Sequence, residues 1–330
     1  MELNLTKSKN KFSPVDFLTK WGTVITIILL FVFFSAIMPD TFLKMSNMIT
    51  ILRSISIVTV IAIGVTISLT VNGFDLSVGS TATFADALIM TMFVWHGMST
   101  GLSIVATILI ALSIAAINAF FIVKVKVPDM LVTLATMFVF QGVAMTYAGG
   151  GSVSENMARL DGTPTTGKVP AFFKLIGQAP WIIIIMLVIV ILVHIFLTYT
   201  KHGRYMYTVG GNLEAARLSG IAVNKYRTLA YFMSTFFATF GGIMLASRVG
   251  SAQINAGAGY LMPAVAAAYI GFSVAGTGKP NAIGTLVGAL LVGILENGLV
   301  MLSVPYYSLD IVKGAVLILA LASTYFRSKK

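Results

Sequence analysis

A chain of 330 residues that is 57% hydrophobic and 10% charged, with mean hydropathy +0.93, carries too little charge to clothe a soluble domain of that size. Its 22 Lys and Arg against 11 Asp and Glu give a net charge of +11, which reads as the positive-inside bias of a membrane protein and not as a nucleic-acid surface. Zero cysteines exclude a thiolate metal site, a disulfide framework and a Cys nucleophile.

Apolar runs close to the roughly twenty residues that cross a bilayer as helix recur along the chain, without the alternation of barrel strands. The expected fold is an all-α polytopic membrane protein with about ten transmembrane helices (eight to ten) and both termini cytoplasmic. Residues 1–20 form a basic tail. No small-residue cleavage site follows the apolar run from Trp21, so 21–38 is expected to be a retained first helix. Further helices are predicted at about 48–71, 77–96, 101–123, 128–148, 180–199, 228–249, 260–275, 281–304 and 308–326. The eighth is short enough for a re-entrant segment. Residues 21–326 make one transmembrane domain, and 327–330 a cytoplasmic tail.

Orientation follows from the loops. With a cytoplasmic N-terminus, cytoplasmic segments carry Lys7, Lys9, Lys11, Lys20, Lys124, Lys126, Lys201, Arg204, Arg217, Lys225, Arg227, Lys279, Arg327, Lys329 and Lys330. That is fifteen of the 22 basic residues, and shifting one helix would flip every later loop. Two loops are long. The extracytoplasmic one, 149–179, is rich in Gly and Thr, whereas the cytoplasmic one, 200–227, is basic and holds no proline. Within it a short helix is predicted from Asn212 to Leu218, with Asn212 as N-cap, Glu214 in the first turn and Gly220 just past the end.

Few residues offer chemistry. Gly162-Thr163-Pro164-Thr165-Thr166-Gly167-Lys168 approaches a phosphate-binding loop, but Val169 replaces the required hydroxyl and no strand is predicted before it. Energy must therefore come from a partner or an ion gradient. His96, His194 and His202 lie near different membrane edges, and no catalytic or metal motif surrounds them. Among polar groups at membrane depth, Asp86 and Glu296 lie deepest, Asp75 sits at a helix break and Asp310 near an edge. Asp75 precedes a helix starting near Ser77, where a carboxylate meets unpaired N–H groups. Glu296 and Asn297 are candidates for lining a translocation path. The neutral amides of Asn118 and Gln141 suit either sugar hydroxyls or interhelical bonding, and Gly284 and Gly288 form a small-residue packing pair.

At these residues a resemblance enters. Glu214-Ala215-Ala216, three residues, then Gly220 resembles the coupling loop of ATP-binding cassette (ABC) importer permeases. The longer run from Gly203 to Ile221, including Gly211, Asn212, Arg217, Leu218 and Ser219, is similar to the ribose-type, branched-chain-permease-like branch of that family. Gly73 to Gly79, Ser251-Ala252-Gln253 with Gly257 to Tyr260, and Val312-Lys313-Gly314 resemble other segments of the branch in the same order. Gly271 to Pro280 departs from the family's usual Gly-Gly-Thr-Ser-Leu-Ala-Gly-Gly run, and subgroups of the family carry different solutes.

The resemblance implies a monosaccharide permease working as a homodimer or with a sister permease, in a bacterial inner membrane. It implies two cytoplasmic ATP-binding cassette domains that hold the ATP and Mg, with no cofactor bound by this chain, and an extracytoplasmic sugar-binding protein. Coupling would fall to residues 211–220. The path residues expected are Asp75, Asn118, Gln141, Glu296 and Asn297. The rival reading is an ion-gradient-driven transporter using intramembrane carboxylates.

Overall fold

The computed structural model describes residues 14–274, 278–305, 307–312, 314, 315 and 318. The expectations for residues 1–13, for most of 308–326, for Lys313 and for the tail 327–330 lie outside them. The described residues form helices α1 (Pro14–Ile37), α2 (Pro39–Phe42), α3 (Met45–Thr70), α4 (Val78–Val94), α5 (Thr100–Ala119), α6 (Asp129–Tyr147), α7 (Ala171–Ile176), α8 (Trp181–Tyr199), α9 (Lys201–Gly211), α10 (Leu213–Leu218), α11 (Val223–Val249), α12 (Ala258–Ser273) and α13 (Ala282–Met301). A π-helical turn, Phe120–Val125, prolongs α5.

Among the described residues six spans are long and apolar enough to cross a membrane: α3, α5 with its extension, α6, α8, α11 and α13. The apolar part of α1, α4 and most of α12 are shorter. Each of these nine falls on a predicted span. Helices α2, α7 and α9 were not predicted.

The core is built around α3, α4 and α11. All seventeen residues of α4 are buried, and α11 packs along α3, α4 and α5. Small residues bring these backbones together, because a Cβ on Gly242 of α11 would lie 2.3 Å from the Ala82 carbonyl oxygen of α4. The α12–α13 pair closes in the same way, with Gly288 against the Ala267 carbonyl and Gly284 against that of Gly271, which bears out the small-residue packing read from their spacing. The outer helices differ. Leu102, Val105 and Leu109 of α5, Phe138 and Val139 of α6, and Ile191 and Leu192 of α8 are all exposed, as lipid-facing side chains are.

The linkers gather at two ends. At one, the end of α3, the start of α6 and the α8–α11 connection meet the 278–281 segment. Arg227 Nη2 donates to Asp129 Oδ1 at 2.7 Å, and Tyr207 Oη donates to the Pro280 carbonyl at 2.6 Å. At the other, Val153 and Ala252 pair as an antiparallel bridge, Arg159 donates to the Trp95 carbonyl, and Arg53 donates to that of Gly177 at 3.4 Å. The basic loop 200–227 and the Gly-rich loop 149–179 thus lie on opposite ends.

Candidate functional site

The 200–227 connection is two helices rather than one. After α8 the chain turns extended at Thr200, whose hydroxyl accepts the Gly203 N–H at 3.1 Å and starts α9. Met206 and Val209 bury one face of α9. Gly210 presses on the end of α3, since a Cβ there would lie 2.2 Å from the Thr70 carbonyl oxygen. Burial pushes the Tyr207 phenol up to about 12, so it remains a donor to Pro280. His202 Nδ1 and Tyr226 Oη lie 3.1 Å apart, joining α9 to α11.

Helix α10 follows its sequence signals closely. Asn212 Oδ1 accepts the Ala215 N–H at 2.9 Å. Gly220 sits at φ +76°, a left-handed conformation natural to glycine. Its N–H donates to Arg217 O and that of Ile221 to Ala216 O, both at 3.0 Å, the paired bonds that close a helix at a glycine. Of the residues from Gly211 to Gly220, only Ala216 is buried, against Tyr226 and the main core. Glu214, Arg217 and Leu218 face outward, Leu218 at 87% exposure. The helix is rooted by one alanine and offers the rest of its surface.

The five path candidates separate. Asp75 and Asn118 meet in one buried network. Asp75 Oδ1 accepts from the Ser77 N–H at 2.9 Å and its hydroxyl at 2.5 Å, and Oδ2 accepts from Ser234 Oγ at 2.7 Å. Asn118 Nδ2 donates to Ser77 Oγ at 3.1 Å, and Thr136 Oγ1 donates to Asn118 Oδ1 at 2.8 Å. All of these side chains are buried. Gln141, half-buried, donates to Asn255 beyond α11. Asn297 Nδ2 donates to Asn47 Oδ1 at 3.1 Å, tying α13 to the first turn of α3. Glu296 lines a small cavity of about 10 Å³ with Met262, Pro263, Ala266 and Leu299.

Sequence reasoning passed over two groups. Asp86, named there only as deep, accepts the Gln253 N–H at 3.1 Å through Oδ2 and so holds the 250–257 turn over α4. The second is Asp129, which pairs with Arg227 and also accepts from Tyr231 Oη. Its one available signal was its place after Pro128 at a helix start.

Loop 149–179 shapes the opposite end. A cavity of about 500 Å³ lies between it and the α4–α5 turn, lined by His96, Arg159, Thr165, Thr166 and Lys168 among others. The phosphate-loop look-alike therefore borders this cavity, far from α10, and it leads into α7. Glu155 fastens the loop: the Lys174 ammonium, 3.0 Å away, and the Val169 N–H hold its carboxyl below the ordinary glutamate range. Hydrogen bonds from the hydroxyl and N–H of Thr163 do the same for Asp161.

The described residues thus form a many-helix membrane chain with a capped, outward-facing loop helix. Residues 47–321 match the family described as branched-chain amino acid transport system / permease component, and the chain belongs to that family. It is 34% identical over 322 residues to the ribose import permease protein RbsC of Haemophilus influenzae, covering 97% of this chain and 98% of that one. It is 32% identical over 307 residues to RbsC of Bacillus subtilis, at 91% of each chain. The xylose transport system permease protein XylH of Escherichia coli is 28% identical over 350 residues, covering 90% of this chain and 89% of that one. No solved structure matches. The protein is a multi-pass bacterial inner-membrane protein and a permease component of an ABC importer.

Proposed function

We propose that this chain is the permease subunit of an ATP-driven importer for a monosaccharide such as ribose or a related sugar. The family description speaks of branched-chain amino acids, but the relatives aligned over nine-tenths or more of this chain are ribose and xylose permeases. The observation that carries the reading is α10, a short helix capped at both ends and rooted only by Ala216, its other faces free for a partner. The 200–227 end is then cytoplasmic, in keeping with its basic charge. Ten spans, with 21–326 as one permease domain, return the C-terminus to the cytoplasm. Two ATP-binding cassette domains supply the ATP and Mg, and residues 211–220 dock with them. The permease works as a dimer, a homodimer or one with a sister permease, which would cover part of the exposed apolar surface.

An extracytoplasmic sugar-binding protein delivers its solute to the face built from loop 149–179. Closure of the ATPases moves the α10 helices, and the dimer alternates its opening. Asn118, Gln141, Glu296 and Asn297 serve the path or its walls, and Asp75 anchors the network beneath it. The test is a pull-down from native membranes together with sugar uptake by Glu214→Trp and Gly220→Leu. An ATP-binding cassette protein should co-purify, and uptake should fall roughly a hundredfold at unchanged membrane level, within the usual span of coupling energies. Normal uptake in both variants would refute the assignment.

A further inference from the structure

The first turns of α11 carry polar residues at 227, 231 and 234, spaced i, i+4 and i+7 and so aligned on one face of the helix. Each donates to a carboxylate outside α11, the first two to the same one. Arg227 Nη2 donates to Asp129 Oδ1 at 2.7 Å and Tyr231 Oη to Asp129 Oδ2, at the start of α6. Ser234 Oγ donates to Asp75 Oδ2 at 2.7 Å, in the linker entering α4. From Asp75 the bonds run on through Ser77 to Asn118 of α5 and Thr136 of α6. The backbone leaves no slack beside this face, because a Cβ on Gly73 would lie 2.6 Å from Tyr231 Oη. Four residues separate the end of α10 from the start of α11, and the buried Ala216 of α10 shares a core cluster with Tyr226 of α11.

We infer that Arg227, Tyr231 and Ser234 are positioning residues that transmit displacement of α10 to α4, α5 and α6. The physical reason is directional. Apolar contacts carry no direction, whereas hydrogen bonds to the part-buried Asp129 and the buried Asp75 fix both register and distance. Any movement of the α10–α11 corner therefore carries the starts of α6 and α4 with it. The inference rests on the importer reading, because it supposes that α10 is driven from outside the chain.

The test compares sugar uptake with ATP hydrolysis in the complete complex reconstituted in vesicles, with ribose and xylose as the probes. Arg227→Gln, Ser234→Ala and the milder Tyr231→Phe should lower sugar moved per ATP hydrolysed by roughly tenfold, the middle of the usual range for coupling between sites. Hydrolysis should stay near the wild-type rate, and Arg227→Lys should restore part of the ratio. Thr66→Val serves as control. It breaks a buried bond of 2.6 Å to Thr285 that lies off this route, and should reduce yield without changing the ratio. A merely structural role predicts that uptake and hydrolysis fall together in all variants. Unchanged ratios in an assembled complex would overturn the relay alone. A wild-type chain that assembles with no ATPase would overturn the importer reading and the relay with it.

Discussion

Asp75 and Asp86 lie eleven residues apart on the same buried stretch, yet their surroundings differ in kind. Asp75 stands where a helix begins, and three donors from its own turn and from α11 surround it. Asp86 stands mid-helix with one donor, the Gln253 N–H, and its Oδ1 is buried without a hydrogen-bond partner among the described residues. The first carboxylate is a structural junction. The second holds down the 250–257 turn at the end of the molecule that carries loop 149–179, and keeps unused accepting capacity in a dry place, which is costly for stability alone. A buried carboxyl is thus informative less by its depth than by how fully its oxygens are occupied.

The largest test of that contrast is Asp75→Ala. Three donors would lose their acceptor at once, and the expected cost is roughly 3 kcal/mol, seen as a marked drop in the thermal midpoint of the detergent-solubilised protein. A midpoint within experimental error of wild type would erase the distinction between the two carboxylates. Asp86→Asn should do far less, within about 1 kcal/mol, because the amide oxygen still accepts from Gln253 and the side chain keeps its shape. A drop as large as that of Asp75→Ala would show that the Asp86 carboxyl is a structural junction as well.

Glu155 sets the lower end of the scale. Its carboxyl titrates below the ordinary range chiefly because Lys174 bonds it. A depressed folded value means that the tether contributes above the unfolded titration range and is lost as pH falls through the folded one. Lys174→Ala should therefore raise the pH at which loop 149–179 loosens, followed by hydrogen exchange at Val169. The change in stability at neutral pH should stay below ~1 kcal/mol, as for exposed pairs generally. A larger effect would mean that the loop is fastened by charge rather than by its contacts with α4 and α11.

Much of the architecture was legible because a bilayer demands runs of apolar residues of fixed length. Nine predicted spans each met a helix. The α10 helix could be read from Asn212 and Gly220, since caps act over three or four residues of local chain. Helix α9 escaped because its sequence, with Gly203, Gly210 and Gly211, has poor intrinsic propensity. It is held by contact with Thr70 and Pro280, distant in sequence. The same limit explains the site. The Ser77 N–H bond to Asp75 followed from position, but Ser234 lies 159 residues further on. Arg227 entered the sequence reading only as a topogenic charge, and nothing local marks Asp129 as its partner.

The complete burial of α4 has a consequence for how the protein is made. This helix carries Thr81, Thr83, Asp86 and Thr91 and needs α11 to enclose it, yet α11 is synthesised about 150 residues later. At roughly 5–20 residues per second, the ribosome needs on the order of ten seconds to supply that wall. During that interval α4 lacks the wall that buries Asp86 and its threonines. The nascent chain must shelter it in the insertion machinery or at a watery membrane edge, so assembly of this protein is ordered by the arrival of α11.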